Sequence, residues 1–134
     1  MKAVLDINVL LISLPVKSPY RPIFDAIKMG SFEMIVSNDI LFEYHEKPSE
    51  KASPSVADNV IKLLLSLNNV TRQDIPFKWG LMHNDPDDNK YADCALIANV
   101  DFLVSEDKHF NIFREIEFPS LKVIRIDTFL TYII

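Results

Sequence analysis

The stretch Met1-Lys2-Ala3-Val4-Leu5-Asp6-Ile7-Asn8 decides the fold, because a short apolar run ends abruptly at a carboxylate. Lys2–Leu5 predicts a buried strand, and the Asp-Ile-Asn segment after it predicts a turn. A similar pattern returns at Phe102–Val104, a second predicted strand, which Asp107 follows closely. Ligands of α/β proteins bind beyond the carboxyl ends of parallel strands. We therefore expect Asp6 and Asp107 to lie at one functional edge of a sheet.

The rest of the chain alternates predicted helices with predicted strands, which favours a parallel sheet covered on both faces. Helices are expected over Pro19–Met29 with Gly30 as the C-cap, after a cap at Ser37, Asn38 or Asp39, over Ser55–Leu67, over Lys90–Asn99, and over Thr128–Ile134 capped by Asp127. Further strands are expected at Phe32–Val36 and Leu121–Ile126, Val70–Met82 is expected to be irregular or to carry a short strand, and Glu46–Pro54 to be an exposed loop.

Length and composition limit the classes of protein to consider. The chain has 134 residues and no repeat or linker, which predicts one domain spanning 1–134. No apolar run approaches the roughly 18–20 residues of a membrane span, and the N-terminus does not resemble a secretory signal. The single cysteine, Cys94, excludes an internal disulfide and fits the cytoplasm. Only two glycines occur, which excludes a glycine-rich phosphate loop.

Four acidic positions are the candidate catalytic and metal-binding residues. Each has a plain structural alternative, since aspartate is common in turns and glutamate in the first turns of helices. Three aspartates within the segment 85–88 nevertheless repel one another, so a nearby cation would relieve a cost. The candidate ligands are Asp6, Glu43, Asp88 and Asp107, and the candidate supporting residues are Asn8, Asp85, Asp93 and Ser105.

The residue types favour one chemistry over others. Mg²⁺ and Mn²⁺ prefer oxygen ligands and keep several waters, which suits an open site made of carboxylates. Such a site can activate water for attack on a phosphodiester. No cluster of cysteine and histidine supports zinc, and no Ser-His-Asp arrangement supports acyl transfer. His109 is a candidate general base, although a lone histidine after a strand is more often a surface residue.

Four segments resemble the motifs of PIN-domain ribonucleases. Leu5-Asp6-Ile7-Asn8 is similar to the opening motif, whose usual form is Asp-Thr-Asn, and Ile40-Leu41-Phe42-Glu43-Tyr44 is similar to the second acidic motif. Asp85-Pro86-Asp87-Asp88-Asn89-Lys90-Tyr91 resembles the third, and Val104-Ser105-Glu106-Asp107 the fourth. The resemblance runs from about Lys2 to Phe110, and its specificity comes from four motifs in the right order.

The resemblance implies a three-layer α/β/α sandwich around a parallel sheet of about five strands. It also implies Mg²⁺- or Mn²⁺-dependent endonuclease activity on RNA, with Asp6, Glu43, Asp88 and Asp107 as the metal ligands. Many small members resemble toxins of toxin–antitoxin pairs, which a cognate antitoxin inhibits and which often form homodimers. No membrane partner is expected.

Two departures from the family pattern leave alternatives open. Ile7 replaces the usual hydroxyl residue, and the third acid could be Asp88, Asn89 or Asp93. The net charge of −5 means that RNA binding would need local cations. The candidates are Lys47, Lys51, Lys90, Lys108, His109 and Arg114.

Two other function classes compete with a ribonuclease. The replacement at Ile7 and the low basic content favour a non-catalytic PIN-like module that binds RNA or a protein. A phosphoacceptor receiver domain has a similar length and an acidic pocket, but Lys108 is a poor match to the late lysine that such domains need, and the acids are too far apart in sequence.

Overall fold

A single parallel sheet of five strands organises the protein, in a computed structural model that describes residues 1–134. The strand order is β3-β2-β1-β4-β5. The strands are β1 Lys2–Leu5, β2 Glu33–Val36, β3 Val70–Arg72, β4 Phe102–Val104 and β5 Val123–Ile124. The order runs outward from β1 in both directions, so the carboxyl end of β1 is a topological switch point. The prediction of an α/β fold with a central parallel sheet of about five strands is confirmed.

Six α-helices and two 3₁₀ segments connect and cover the strands. The helices are α1 Ile7–Ser13, α2 Arg21–Met29, α3 Asn38–Lys51, α4 Pro54–Ser66, α5 Asn89–Ala98 and α6 Ile126–Ile133, and the 3₁₀ segments are Pro86–Asp88 and Lys108–Arg114. The Ser37 and Ser53 hydroxyls cap α3 and α4 by accepting backbone N–H groups. Gly30 ends α2 with φ 75°, a left-handed conformation that glycine adopts at little cost.

Burial of the central strand shows that both faces of the sheet are covered. Ala3, Val4 and Leu5 are consecutive and therefore point to alternate faces, yet all three are fully buried. The pairing of Leu5 with Val104 aligns the ends of β1 and β4. This register brings the residues that follow the two strands to one edge of the sheet. No helix of the chain is both long and apolar enough to cross a membrane.

The prediction of a turn after β1 was wrong, because α1 begins directly at Ile7. Asp6 is the N-cap of this helix and holds it against the strand end. The predicted loop at Glu46–Pro54 was also wrong. Helix α3 continues to Lys51 through the buried Pro48. Packing of α3 against α4 and α1 outweighs the local cost of a proline inside a helix.

The C-terminal elements also differ from prediction. The last strand is only Val123–Ile124, shorter than Leu121–Ile126. Asp127 is not a cap but the second residue of α6, and Arg125 occupies the cap position without a side-chain hydrogen bond. The Ile126 N–H instead donates to Glu106 Oε1 at 2.9 Å. A side chain distant in sequence therefore supplies the hydrogen-bond acceptor for the first N–H group of α6.

Candidate metal centre

Asp6 lies at the end of β1 and is held by three hydrogen bonds. Its Oδ1 accepts the backbone N–H groups of Asn8 and Val9, at 2.8 and 3.2 Å, and its Oδ2 accepts the Ser105 hydroxyl. Only 4% of Asp6 is exposed, and this burial raises the pKa of its carboxyl although the three hydrogen bonds oppose the rise. The carboxylate is therefore fixed in direction. Asn8 contributes its backbone N–H to this arrangement, and the residue itself is exposed to solvent.

Ser105 connects Asp6 to the end of β4. Its Oγ donates to Asp6 and accepts the backbone N–H of Asp107 at 3.0 Å. Asp107 in turn caps the following 3₁₀ segment, since its Oδ1 accepts the His109 N–H at 2.9 Å. The Ser105 hydroxyl thus links the Asp6 carboxylate to the backbone of Asp107, and the parallel register of β1 and β4 brings these two residues to one edge of the sheet.

Asp85 and His109 complete a group of ligand-type atoms around Asp107. His109 Nδ1 lies 3.0 Å from Asp85 Oδ2 and 3.3 Å from Asp107 Oδ1. One ligand atom from each of these three residues lies within 4.8 Å of the others, close enough to share a cation. The sequence predicted Asp85 only as a supporting residue, and His109 as a candidate general base or RNA contact rather than a ligand. The Asp107–His109 spacing hinted at their proximity, but the pairing with Asp85 is tertiary.

Asp88 contacts the carboxyls of Asp85 and Asp107. Burial, together with the neighbouring carboxyls of Asp107 and Asp85, raises the pKa of Asp88 to about 8. The pKa of Asp85 is lowered, chiefly by its hydrogen bond to His109. Negative charge at Asp88 is therefore poorly compensated by the chain itself. A group of carboxylate oxygens whose negative charge lacks a nearby positive charge suits a hard divalent cation such as Mg²⁺ or Mn²⁺.

Glu43 lies on α3 and contacts α5 rather than the other carboxylates. Its Oε1 is 3.4 Å from Lys90 Nζ and accepts the Tyr91 hydroxyl. Burial is the main reason that the pKa of Tyr91 is raised, and the negative charges of Glu43 and Asp6 add to the rise. Tyr44, next to Glu43 on α3, donates its hydroxyl to the Leu5 carbonyl at the end of β1. Glu43 therefore flanks the cluster, with Lys90 as its counter-charge.

The three candidates for the third acid have different surroundings. Asp93 is buried, and its Oδ1 accepts the backbone N–H groups of Trp79 and Gly80 at 3.0 and 3.2 Å. Asn89 Oδ1 accepts the Met82 N–H at 2.8 Å. Both residues therefore anchor the segment before the 3₁₀ turn. Among the three, Asp88 is the one that contacts Asp85 and Asp107.

The candidate RNA-binding cations fall into two groups. Lys108 and Arg114 line a cavity of about 220 Å³ that includes Asp107. Lys90 is paired with Glu43. Lys47 pairs with Glu46 and Glu50 on its own helix, and Lys51 is exposed at the end of α3. The cations beside the acids are therefore Lys90, Lys108 and Arg114.

Comparisons with known proteins show the family and agree with the fold. Residues 2–109 match the family model described as PIN domain. The fold is similar to the Rickettsia felis VapBC2 structure bound to a DNA fragment from their promoter, with a TM-score of 0.62, 16% identity and coverage of 93% of this chain and 98% of that chain. It is also similar to DNA-bound VapBC from Salmonella typhimurium, with a TM-score of 0.63, 15% identity and coverage of 94% and 98%. No curated protein matches the chain by sequence. The family match spans both strand-end acids and the acidic turn between them, and it shows that this chain belongs to the PIN-domain family.

Proposed function

We propose that this protein is a metal-dependent endoribonuclease that hydrolyses RNA phosphodiester bonds. The observation that carries the proposal is the acidic cluster beside the carboxyl ends of β1 and β4, where Asp85, Asp107 and His109 bring ligand atoms within reach of one cation and Asp88 lies against the same two carboxyls. Structural residues seldom crowd carboxylates in this way, because each one raises the free energy of its neighbours' ionised forms.

Asp6, Asp88 and Asp107 would hold Mg²⁺ or Mn²⁺, with Glu43 at the flank. When bound, the ion lowers the pKa of a water and neutralises charge on the leaving oxygen. Ser105 would orient two of these ligand residues, because its hydroxyl donates to the Asp6 carboxylate and accepts the Asp107 backbone N–H. The hydrogen bonds from Asn8 and Val9 keep Asp6 from rotating away. His109, whose Nδ1 hydrogen-bonds to Asp85 beside Asp107, would take or return a proton at its other ring nitrogen, Nε2.

We further propose that the protein is the cytoplasmic toxin of a toxin–antitoxin pair. Family membership and the likeness of its fold to structures titled VapBC support this role. The partners would be an RNA substrate, an antitoxin protein and a second copy of the chain.

The decisive experiment incubates the purified protein with labelled RNA in Mn²⁺. We expect cleavage that stops in EDTA and falls more than about 100-fold in Asp6→Asn, because loss of a direct ligand should exceed the 10- to 100-fold effect of losing a residue behind a ligand. Asp58→Asn is the matched control, since Asp58 is exposed on α4, away from the acidic cluster. Equal cleavage by Asp6→Asn and the wild type would show that another site or a contaminant cuts. Absence of both cleavage and Mn²⁺ binding would favour a non-catalytic PIN-like module.

A further inference from the structure

Phe77, Trp79 and Phe118 form a cluster at the surface, here called the aromatic patch, in which the two phenylalanines are exposed and Trp79 is half-buried. Phe77 and Trp79 pack edge to face with ring centroids 5.5 Å apart, and Trp79 and Phe118 do so at 6.1 Å. Phe118 is 83% exposed and Phe77 54% exposed. None of the three belongs to the buried core. Core packing therefore does not explain why these rings are grouped at the surface.

The segment that presents the patch is fixed by buried polar contacts. Asp93, only 3% exposed, accepts the N–H groups of Trp79 and Gly80. Asn89 makes a two-way contact with the Met82 backbone, and Met82 itself is buried. A segment anchored from α5 loses little conformational entropy when a ligand arrives. The rings are thus positioned before binding.

A polar cleft of about 310 Å³ lies between the segment that carries Trp79 and the acidic turn that precedes α5. Lys78 and Gly80 line it on the side of the patch, and Lys90 lines it on the side of α5. Lys90 is the residue that pairs with Glu43 at the flank of the acidic cluster. Ile75 is the one apolar residue of the lining, so the cleft suits a charged and hydrated chain better than an apolar peptide.

We propose that the aromatic patch stacks the unpaired bases of single-stranded RNA, whose backbone runs past Lys78 and Lys90 toward the metal centre. This inference rests on the proposed ribonuclease function. Base faces stack on aromatic rings with little dependence on sequence, and Lys78 stands between two of the rings in the chain. Bases inside a duplex are already stacked on one another and cannot lie on the rings.

The overall charge explains why stacking is needed. With a net charge of −5, and with Asp39 and Asp87 also lining the cleft, the protein gains little from a general attraction to phosphates. Stacking supplies affinity that does not depend on charge. Binding should therefore weaken only modestly as salt rises, unlike binding by a basic surface.

Trp79 is the only tryptophan, so its fluorescence reports on the patch directly. Short single-stranded oligouridylate is titrated into the protein in EDTA, which prevents metal-dependent cleavage. We expect quenching of Trp79 and at least about fivefold weaker binding by Phe118→Ala, Phe77→Ala and Lys78→Ala, with weak binding of a duplex. Phe42→Ala is the matched control, because Phe42 is 73% exposed on α3 and lines a different cavity.

The outcomes separate this inference from the proposed function. Unchanged affinity in Phe118→Ala and Phe77→Ala, with Mn²⁺-dependent cleavage intact, overturns the stacking role and leaves the ribonuclease. Quenching and weakened binding without any cleavage support the patch and overturn the ribonuclease. If the variants bind RNA normally but lose a protein inhibitor, the patch is a protein-docking surface and the inference fails. Thermal denaturation checks that each variant folds.

Discussion

Asp6 and Asp88 are two acids of the candidate metal centre that differ in what surrounds them. Asp6 follows a central strand, is almost fully buried and receives three hydrogen bonds. Asp88 ends a 3₁₀ turn, is half-buried and faces the carboxyls of Asp85 and Asp107. The comparison shows that the chain itself satisfies Asp6 with hydrogen bonds. The negative charge of Asp88, in contrast, lacks a positive partner, which a cation can supply. Burial raises the pKa of both acids, but neighbouring donors oppose the rise only at Asp6.

The largest effect on stability should come from Asp6→Ala. This change removes the N-cap of α1 and leaves the Asn8 and Val9 N–H groups and the Ser105 hydroxyl without their acceptor. We expect the free energy of unfolding to fall by about 2 kcal/mol. Urea denaturation in EDTA measures it. A variant as stable as the wild type would mean that Asp6 does not hold the strand end.

The opposite effect on the free energy of unfolding is expected at Asp88, where the ionised carboxylate is destabilising. Its folded-state pKa of about 8 lies above the ordinary value of 3.8, so the folded protein holds a proton that the unfolded chain has released between these pH values. The free energy of unfolding of the metal-free protein should therefore fall as pH rises from about 4 to about 8, and Mn²⁺ should counteract the fall.

Asp88→Asn tests the source of this pH dependence. Above pH 8 the variant should be about 1 kcal/mol more stable than the wild type in EDTA, because the repelling charge is gone. It should also be stabilised less by Mn²⁺. Urea curves at acidic and alkaline pH, with and without Mn²⁺, provide the comparison. A wild-type pH dependence that persists unchanged in Asp88→Asn would assign it to another group, with Asp6 as the first candidate.

The smallest effect is expected beside Asp88 itself. Asp87 is exposed in the same turn, and its substitution by asparagine should change the free energy of unfolding by less than about 0.5 kcal/mol. The same urea measurement applies. A stabilisation as large as that of Asp88→Asn would mean that the effect belongs to the whole acidic turn and not to one carboxyl.

The sequence predicted the features that depend on local pattern and topology. The apolar runs before Asp6 and Asp107 are neighbouring parallel strands, so these two acids follow the strands at the same edge of the sheet, as expected. The length of α3 could not be predicted, because Pro48 argues locally against a helix and only packing on α4 and α1 reverses that preference. Helix α1 was missed because its seven residues directly follow the strand end and were interpreted as a turn.

The remaining parts of the site depend on contacts between distant segments. Asp88, Asn89 and Asp93 lie within one short stretch, and their roles differ only because the segment Trp79–Met82 covers two of them. The contact of His109 with Asp85 joins residues 24 positions apart and has no local signature. The identities of the metal ligands remain predictions that the variants above test.

The central position of β1 has a consequence for how the acidic edge forms. Strand β1 pairs with β4, and the Lys2 backbone N–H donates to the Asp101 carboxylate 99 residues later. The Asp6 carboxylate likewise accepts the hydroxyl of Ser105, 99 residues away. Contacts this distant in sequence form late and slow folding. The acidic edge therefore cannot form until the segments around Asp6 and Ser105 are both present and folded onto each other.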